Sequence, residues 1–302
     1  MGDLILDPRI LGRSDAGLKP PLPRGRTPFD LDRVEGFSLH DEGTTNVAKR
    51  WVTDEFHGLQ AVQDWHMNGV VRRKDGTLAK KKWSDFAYSI GITRVGSPVA
   101  VRGLDLRPFA EGTVQRNSDY GWNWPDFCTV GESGNDYFIS ILLVHVGIAT
   151  NTVKPYQFNG EMIAARKGQY VPPSTAQLET LDWLIPSLRD TCDRPDWGVW
   201  GHGGHRIKDC PGPHVWPEIQ RGRWNPPKTA RRRDRSGRFQ ASVTAPAKPA
   251  AAAAKPAEPT FDAEFNEAVE LGITDGLNPF DPVTRAEAAV MARRAADIGA
   301  AA

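Results

Sequence analysis

The chain has 302 residues, of which 39% are hydrophobic, and its formal net charge at pH 7 is +1. This length is enough for one large domain and a small one. The near-neutral charge excludes the overall basic character of many nucleic-acid-binding proteins. No segment approaches the roughly 20 apolar residues of a membrane span. The three cysteines argue against a disulfide framework, so we expect the fold to form in a reducing compartment.

Patterns of hydrophobicity divide the first 220 residues into an arm and a domain. Residues 1–30 are rich in Pro, Gly and Arg, and we expect an extended arm rather than a core element. Over residues 31–220, strand-like and helical patterns alternate, which predicts an α/β domain with a mixed central β-sheet flanked by helices. The predicted strands are 36–40, 86–95, 97–106, 137–149 and 198–202. The predicted helices are 57–69 and about 174–192, the second with Ser174 or Thr175 as its N-cap.

Composition changes sharply at about residue 221. Residues 221–259 are basic, rich in Pro and Ala and without apolar periodicity, which predicts a solvated linker. Its run Arg231, Arg232 and Arg233 could attract anionic wall polymers, but no interleaved aromatic module supports nucleic-acid binding. Residues 260–302 regain helical periodicity in two pieces around a turn. A helical module of this size is marginal alone and needs a partner or neighbouring copies.

The stretch GHGGHRIKDCPG, residues 201–212, concentrates potential metal ligands. His202 ends a predicted strand and Cys210 follows eight residues later, so a loop could return the thiol to the strand end. His40 also ends a predicted strand and is the best third ligand. Catalytic zinc sites use three such ligands and leave one position for water. Spacing alone is equally consistent with a solvated turn, and His205 competes with His202 as the ligand.

Separated motifs of this chain resemble one family, the zinc-dependent N-acetylmuramoyl-L-alanine amidases of the phage-lysozyme and peptidoglycan-recognition-protein type. FSLHDEGTTN resembles its first ligand strand, SDFAYSIGI its tyrosine strand and ISILLVHVG its central strand. GHGGHRIKDCPG resembles its final ligand loop, and the similarity covers about residues 34–220. The positions that match the family's functional residues are His40, Tyr88, His202, Lys208 and Cys210.

The resemblance implies a site and a reaction. It implies Zn²⁺ held by His40, His202 and Cys210, with a zinc-activated water that cleaves the amide between N-acetylmuramic acid and L-alanine of peptidoglycan. It also implies that Lys208, and with it Tyr88, stabilises the developing oxyanion. Without the resemblance, Tyr88 would be interpreted as an ordinary strand aromatic and Lys208 as a solvated loop charge.

Two stretches, 70–85 and 96–135, are longer than the family pattern. The second contains Trp122 and Trp124. We interpret these two side chains either as a rim that binds sugar or peptide or as packing anchors for a long loop.

The tail has a resemblance of its own. AVELGITDG and FDPVTRAEAAVMARRA resemble an S-layer homology motif, a family that binds cell-wall polymers. Thr284 and Glu287 also form a capping-box pattern, which explains the same residues structurally. Because one copy is present, the tail is interpreted either as a module that binds a secondary cell-wall polymer or as one that associates with itself.

Together these features predict a phage endolysin. The first residues carry acidic side chains and no sustained apolar run, so no signal peptide is predicted and we expect the enzyme to accumulate in the host cytoplasm. Release to the wall would then need a membrane lesion made by another protein. The alternatives are a peptidoglycan-binding protein that does not cut, a zinc peptidase that cuts within the stem peptide, and a virion structural protein with a decayed amidase domain.

Overall fold

A computed structural model describes residues 6–23, 26–72, 77–80 and 83–226. The predicted linker beyond residue 226 and the predicted module over residues 260–302, with its S-layer-like motif, lie outside the described residues. Among the residues that are described, no helix is both long enough and apolar enough to cross a membrane.

The described chain alternates strands and helices. The strands are β1 (Leu11–Gly12), β2 (Gly36–His40), β3 (Thr44–Thr45), β4 (Val70–Arg72), β5 (Leu78–Lys80), β6 (Ile90–Ile92), β7 (Pro98–Ala100), β8 (Phe138–Leu143), β9 (Gly147–Ala149), β10 (Val153–Phe158), β11 (Glu161–Ala165), β12 (Tyr170–Val171) and β13 (Gly198–Gly201). The helices are α1 (Lys49–Val52), α2 (His57–Asn68), α3 (Thr175–Thr191) and α4 (Trp216–Gln220).

The central sheet has six strands in the order β1-β7-β6-β8-β2-β13. The pairs β1–β7, β6–β8, β8–β2 and β2–β13 are parallel, whereas β6–β7 is antiparallel. Every residue of β8 is buried, because elements cover both faces of the sheet there. The predicted mixed sheet flanked by helices is thus confirmed. Smaller sheets are formed by β10–β11, by β12-β9-β3 and by β4–β5.

Helix α3 covers one face of this sheet. It begins at a capping box in which the Ser174 hydroxyl accepts from the Gln177 backbone N–H, in agreement with the predicted N-cap. Its buried stripe, spaced three and four residues apart, packs with sheet residues that include Phe37, Ile139 and Ile141. The stripe consists of Leu181, Leu184, Ile185 and Leu188. Burial of each such side chain contributes about 1.5–3 kcal/mol.

Three predicted strands are shorter in the structure. The apolar run 137–149 forms two strands, β8 and β9, rather than one. The chain turns between them, where His145 has φ 58° and Gly147 has φ 135°. Of the predicted strand 86–95 only β6 forms, and of the predicted strand 97–106 only β7 forms, because the other residues of both stretches lie in loops.

The N-terminal segment differs from the extended arm predicted for residues 1–30. In its described part, β1 adds an edge strand to the central sheet, and Ile10 and Leu18 are buried. Arg13 fastens the segment by donating to both carboxylate oxygens of Asp85, at 2.5 and 3.0 Å, and to the Val101 carbonyl at 2.6 Å. Buried apolar side chains and the contacts of Arg13 together dock a segment whose Pro and Gly content predicted an arm.

Candidate metal centre

Two neighbouring parallel strands bring His40 and His202 together. In the pairing of β2 with β13, Leu39 is opposite Gly201, so both strands end at the same edge of the sheet. His40 is the last residue of β2, and His202 follows β13 directly. Their ring centroids are 4.5 Å apart and both side chains are buried. Regular backbone therefore fixes the positions of both imidazoles.

The loop after β13 returns Cys210 to the same point. The Gly203 N–H donates to the Cys210 carbonyl at 2.6 Å, which closes the loop. The Cys210 sulfur lies 3.7 Å from His40 Nδ1, and one donor atom each from His40, His202 and Cys210 all lie within 4.8 Å of one another. The Asp41 N–H also points at this sulfur, at 3.4 Å.

The loop is packed closely against β12. Gly212 has φ 84°, and a Cβ added there would lie 1.9 Å from the Tyr170 hydroxyl oxygen. That hydroxyl is within hydrogen-bond distance of the Asp41 carboxylate, at 2.7 Å, and of the Pro211 carbonyl, at 2.8 Å. A glycine at position 212 is therefore required both by the backbone conformation and by the space available.

The donor set fits zinc. Zinc takes imidazole nitrogen at about 2.0–2.1 Å and thiolate at about 2.3 Å, and a tetrahedron of those bonds separates sulfur from nitrogen by roughly 3.5 Å. The observed separation of 3.7 Å between Cys210 Sγ and His40 Nδ1 is close to that value. Burial holds the pKa of His202 well below its usual value, so this imidazole is neutral as a metal ligand must be.

A carboxylate that the sequence did not point to lies behind the histidines. Glu111 is fully buried, and its Oε1 accepts from His40 Nε2 at 2.8 Å. Its Oε2 accepts from His205 Nε2 at 2.8 Å, and the Ser140 hydroxyl donates to Oε1 as well. Burial alone would raise the pKa of Glu111, but His40 and His205 outweigh it and hold the pKa well below its usual value. The group is therefore an anion.

His205, the competitor of His202 in the sequence, occupies a different environment. It is fully buried and stacks on Phe138 with centroids 4.4 Å apart. Glu111, His202 and His205 form a second group whose donor atoms all lie within 4.8 Å of one another. Within the described ranges, the two candidate donor sets thus overlap at His202, and only the set with His40 contains sulfur.

Tyr88 and Lys208 lie at the site in different ways. The Tyr88 ring is half-buried and makes an edge contact with His40, with centroids 5.0 Å apart. Burial and then the negative groups at Cys210 and Asp41 raise the pKa of its phenol well above the usual value, so it stays protonated. Burial, with the neighbouring Asp41, raises the pKa of the Cys210 thiol well above its usual value, and the charge of Lys208, which is exposed on the same loop, acts in the opposite direction.

The two predicted rim tryptophans differ in exposure. Trp122 is 49% exposed and makes an edge contact with Trp216, which also stacks on Tyr120 with centroids 4.2 Å apart. Trp124 is half-buried and packs against a buried cluster that includes Val114. Trp124 thus has the contacts of a packing anchor, while Trp122 presents an open face.

A cleft of about 250 Å³ lies beside the candidate centre. Tyr88 belongs to its wall and also touches His40, so the cleft opens next to the candidate ligands. Other residues of the wall are Thr44, Asn46, Trp51, His66 and His145. The wall combines aromatic faces with hydroxyl and amide groups, as in sites for polar, partly apolar ligands.

Comparison with known proteins gives likeness at the level of structure only. No family model matches the sequence, and no curated protein matches it. Wild-type PGRP-LB of Drosophila is similar in structure, with 20% identity over 70% of this chain and 92% of that chain and a TM-score of 0.43. Bumblebee PGRP-SA shares 16% identity over 71% and 95% of the two chains, with a TM-score of 0.45.

Human PGRP-IBETAC, solved in complex with glycosamyl muramyl pentapeptide, shares 15% identity over 71% of this chain and 96% of that chain, with a TM-score of 0.43. Because all these TM-scores are below 0.5, we base the function on the side chains of the candidate centre and not on these likenesses.

Proposed function

We propose that this protein is a zinc-dependent peptidoglycan hydrolase that cleaves the amide between N-acetylmuramic acid and L-alanine of the stem peptide. One observation carries the proposal: donor atoms of His40, His202 and Cys210 lie within 4.8 Å of one another at the end of two parallel strands. The motifs of residues 34–220 that resemble zinc amidases include these same three residues.

The number of ligands favours catalysis over a purely structural metal. Structural zinc sites use four protein ligands, whereas catalytic sites use three and keep one position open. Among the described residues, the group built on His40 and Cys210 has three members. Zinc bound there would supply Lewis-acid polarisation of a carbonyl and a water of lowered pKa.

Tyr88 and Lys208 are the proposed catalytic residues. The Tyr88 hydroxyl keeps its proton because burial and neighbouring negative groups raise its pKa, so it can donate a hydrogen bond to a developing oxyanion. Lys208 carries its ammonium group on the loop that also carries Cys210, two residues before the thiol. A positive charge beside the reacting carbonyl stabilises the charge that forms there.

The cleft is the proposed place for the stem peptide. It is open, its wall includes Tyr88 beside His40, and it offers Thr44 and Asn46 as hydrogen-bonding groups. Exposed Trp122 is proposed to stack on sugar outside the cleft, where its open face can lie against a ring.

The cellular setting is a further part of the proposal. A phage endolysin that accumulates in the host cytoplasm, with residues 260–302 binding a wall polymer, accounts for the features of the sequence. Labelling of isolated walls by the fluorescently tagged full chain and by a tagged chain that ends at residue 226 tests the wall-binding part, since stronger labelling by the full chain is expected and equal labelling contradicts it.

Product analysis tests the enzymatic proposal. The purified full chain is incubated with peptidoglycan, before and after removal of metal with a chelator, and the fragments are identified by mass spectrometry. We expect intact stem peptides that begin with free L-alanine, glycan without peptide, loss of both products after chelation and their return with added zinc. Fragments cut within the stem would indicate a zinc peptidase, and binding without any cleavage would indicate a recognition protein.

A further inference from the structure

The geometry points to Glu111 as a positioning residue that orients both imidazole ligands of the proposed zinc centre, His40 through its carboxylate and His202 through its backbone carbonyl. The inference rests on the proposed function only for the identity of the metal.

The first step concerns the tautomer of His40. Its Nε2 is 2.8 Å from Glu111 Oε1, the same oxygen that accepts from the Ser140 hydroxyl, so we assign Oε1 as the acceptor and place the proton on Nε2. Nδ1 is then the nitrogen with the free electron pair, and it is the one that lies 3.7 Å from the Cys210 sulfur. The contact with Glu111 thus selects the form of His40 that can bind a metal together with Cys210.

The second step concerns His202. Its Nε2 lies 3.4 Å from the backbone oxygen of Glu111. A proton on Nε2 is directed at that carbonyl and leaves Nδ1 available to a metal. Metal-binding histidines regularly donate their other N–H to a carboxylate or a backbone carbonyl, and here one residue supplies both acceptors.

The third step is the support of Glu111 itself. Its backbone N–H donates to Asn135 Oδ1 at 2.9 Å, and its second carboxylate oxygen accepts from His205 at 2.8 Å. The hydroxyl of Ser140, in the middle of β8, donates to the first oxygen. These contacts fix the carboxylate against the central strand of the sheet, so its direction is set by the most deeply buried part of the domain.

Charge gives an independent reason for an anion at this position. A zinc ion with two neutral imidazoles and one thiolate carries a net charge of +1. A single positive charge is costly in a buried site. The Glu111 carboxylate, buried and in direct contact with a ligand ring, brings the sum to zero.

Metal affinity tests the inference with the full chain. We measure Zn²⁺ binding by competition with a chromophoric chelator, and Co²⁺ spectra, for wild type, Glu111→Gln, Glu111→Ala and Asp136→Asn. Loss of an outer carboxylate typically costs 10- to 100-fold in affinity. We expect about 10-fold for Glu111→Gln, whose amide oxygen can still accept from His40, and about 100-fold for Glu111→Ala. The sulfur-to-cobalt charge-transfer band should persist in every variant that binds cobalt.

Asp136→Asn is the matched control, because Asp136 lies in the same long segment as Glu111. Its carboxylate pairs with Arg107 and Arg33 and contacts none of the candidate ligands. Its zinc affinity should stay within about twofold of wild type. If Glu111→Ala does not fold, Ser140→Ala replaces it, with an expected loss of less than about 10-fold because only one support of the carboxylate is removed.

Two outcomes would overturn the inference. Wild-type zinc affinity in a folded Glu111→Ala variant, which can no longer accept from His40, would show that the carboxylate does not orient the ligands. Cobalt binding without a sulfur band in wild type, abolished by Glu111→Ala, would make Glu111 a ligand in the set with His202 and His205. Failure of the proposed function looks different: zinc would bind with a sulfur ligand and depend on Glu111, while no peptidoglycan is cleaved.

Discussion

The edge of the central sheet and the long segment between β7 and β8 supply the candidate centre in different ways. The sheet edge delivers His40 and His202 from adjacent parallel strands whose register is fixed by hydrogen bonds. The long segment, residues 101–137, contains no strand of the central sheet, yet it delivers the buried Glu111. Regular backbone thus places two of the three candidate ligands, and irregular backbone places the carboxylate that we propose orients them. We expect the ligands to decide whether metal binds and the loop to decide how tightly.

The largest effect is expected from removal of a ligand. Cys210→Ser and His202→Ala should each weaken zinc binding by more than the roughly 100-fold upper range of an outer-group change, and both should abolish cleavage of peptidoglycan. Isothermal titration with zinc and product analysis measure these losses.

Cys192→Ser is the control for the thiol, since Cys192 is also half-buried but lies at the end of α3, away from the candidate ligands. It should bind zinc and cleave as wild type does. Equal zinc affinity in Cys210→Ser and wild type would contradict the assignment of the sheet edge as the metal site.

A smaller effect, confined to rate, is expected from Lys208. Lys208→Met keeps most of the length of the side chain and removes its charge, so kcat should fall about 10²- to 10³-fold while zinc affinity changes little. Steady-state kinetics on a soluble muropeptide measures kcat and KM separately.

Lys154→Met, at an exposed position of β10, is the matched control and should leave both constants unchanged. A rise in KM alone for Lys208→Met would mean that Lys208 binds the substrate without acting on the transition state.

The smallest effect concerns the pH dependence of stability and tests the turn between β8 and β9, where His145 lies. Burial, with the charges of Arg94 and His57, lowers the pKa of His145 to about 4 from 6.5. The folded state then binds fewer protons than the unfolded state below pH 6.5, so stability falls as pH drops from 6.5 towards 4. At pH 5 the cost is about 2 kcal/mol.

Chemical denaturation of the metal-free protein at pH 7.5 and pH 5 measures this cost as the difference between wild type and His145→Asn. Asn is uncharged and tolerates the φ of 58° found at this position. The comparison of wild type with His145→Asn is needed because Glu42 also changes stability with pH. Glu42 accepts from the His145 N–H, its pKa is raised to about 7 by burial, and its contribution to stability therefore decreases as the pH rises. An identical pH dependence in the two proteins would contradict the prediction.

The same contrast between regular strands and irregular loops separates what could be predicted from the sequence from what could not. His40 and His202 could be named as candidate ligands because each ends a predicted strand, and Cys210 because its spacing to His202 suits a returning loop, but the choice of this set came from the family resemblance. The N-cap of α3 was equally readable, since Ser174 precedes a clear apolar periodicity. These signals are local in the chain.

The features that sequence reasoning missed depend on contacts between distant segments. Glu111 is flanked by Ala110 and Gly112 in a stretch without periodicity, and one acidic residue in a loop is too common to mark a site. Its burial depends on Ser140 and His205, which are 29 and 94 residues away. The same limit applies to the arm, whose docking depends on the ion pair of Arg13 with Asp85, 72 residues apart.

The close approach of Gly212 to Tyr170 has a consequence for how this loop can vary. Any larger residue at position 212 would displace the Tyr170 ring and break the hydrogen bond between the Tyr170 hydroxyl and the Asp41 carboxylate. The change would reach the candidate centre, because the backbone N–H of Asp41 faces the Cys210 sulfur. Natural or designed variation in substrate preference therefore has room at the exposed residues Ile207 and Asp209, but has none at Gly212.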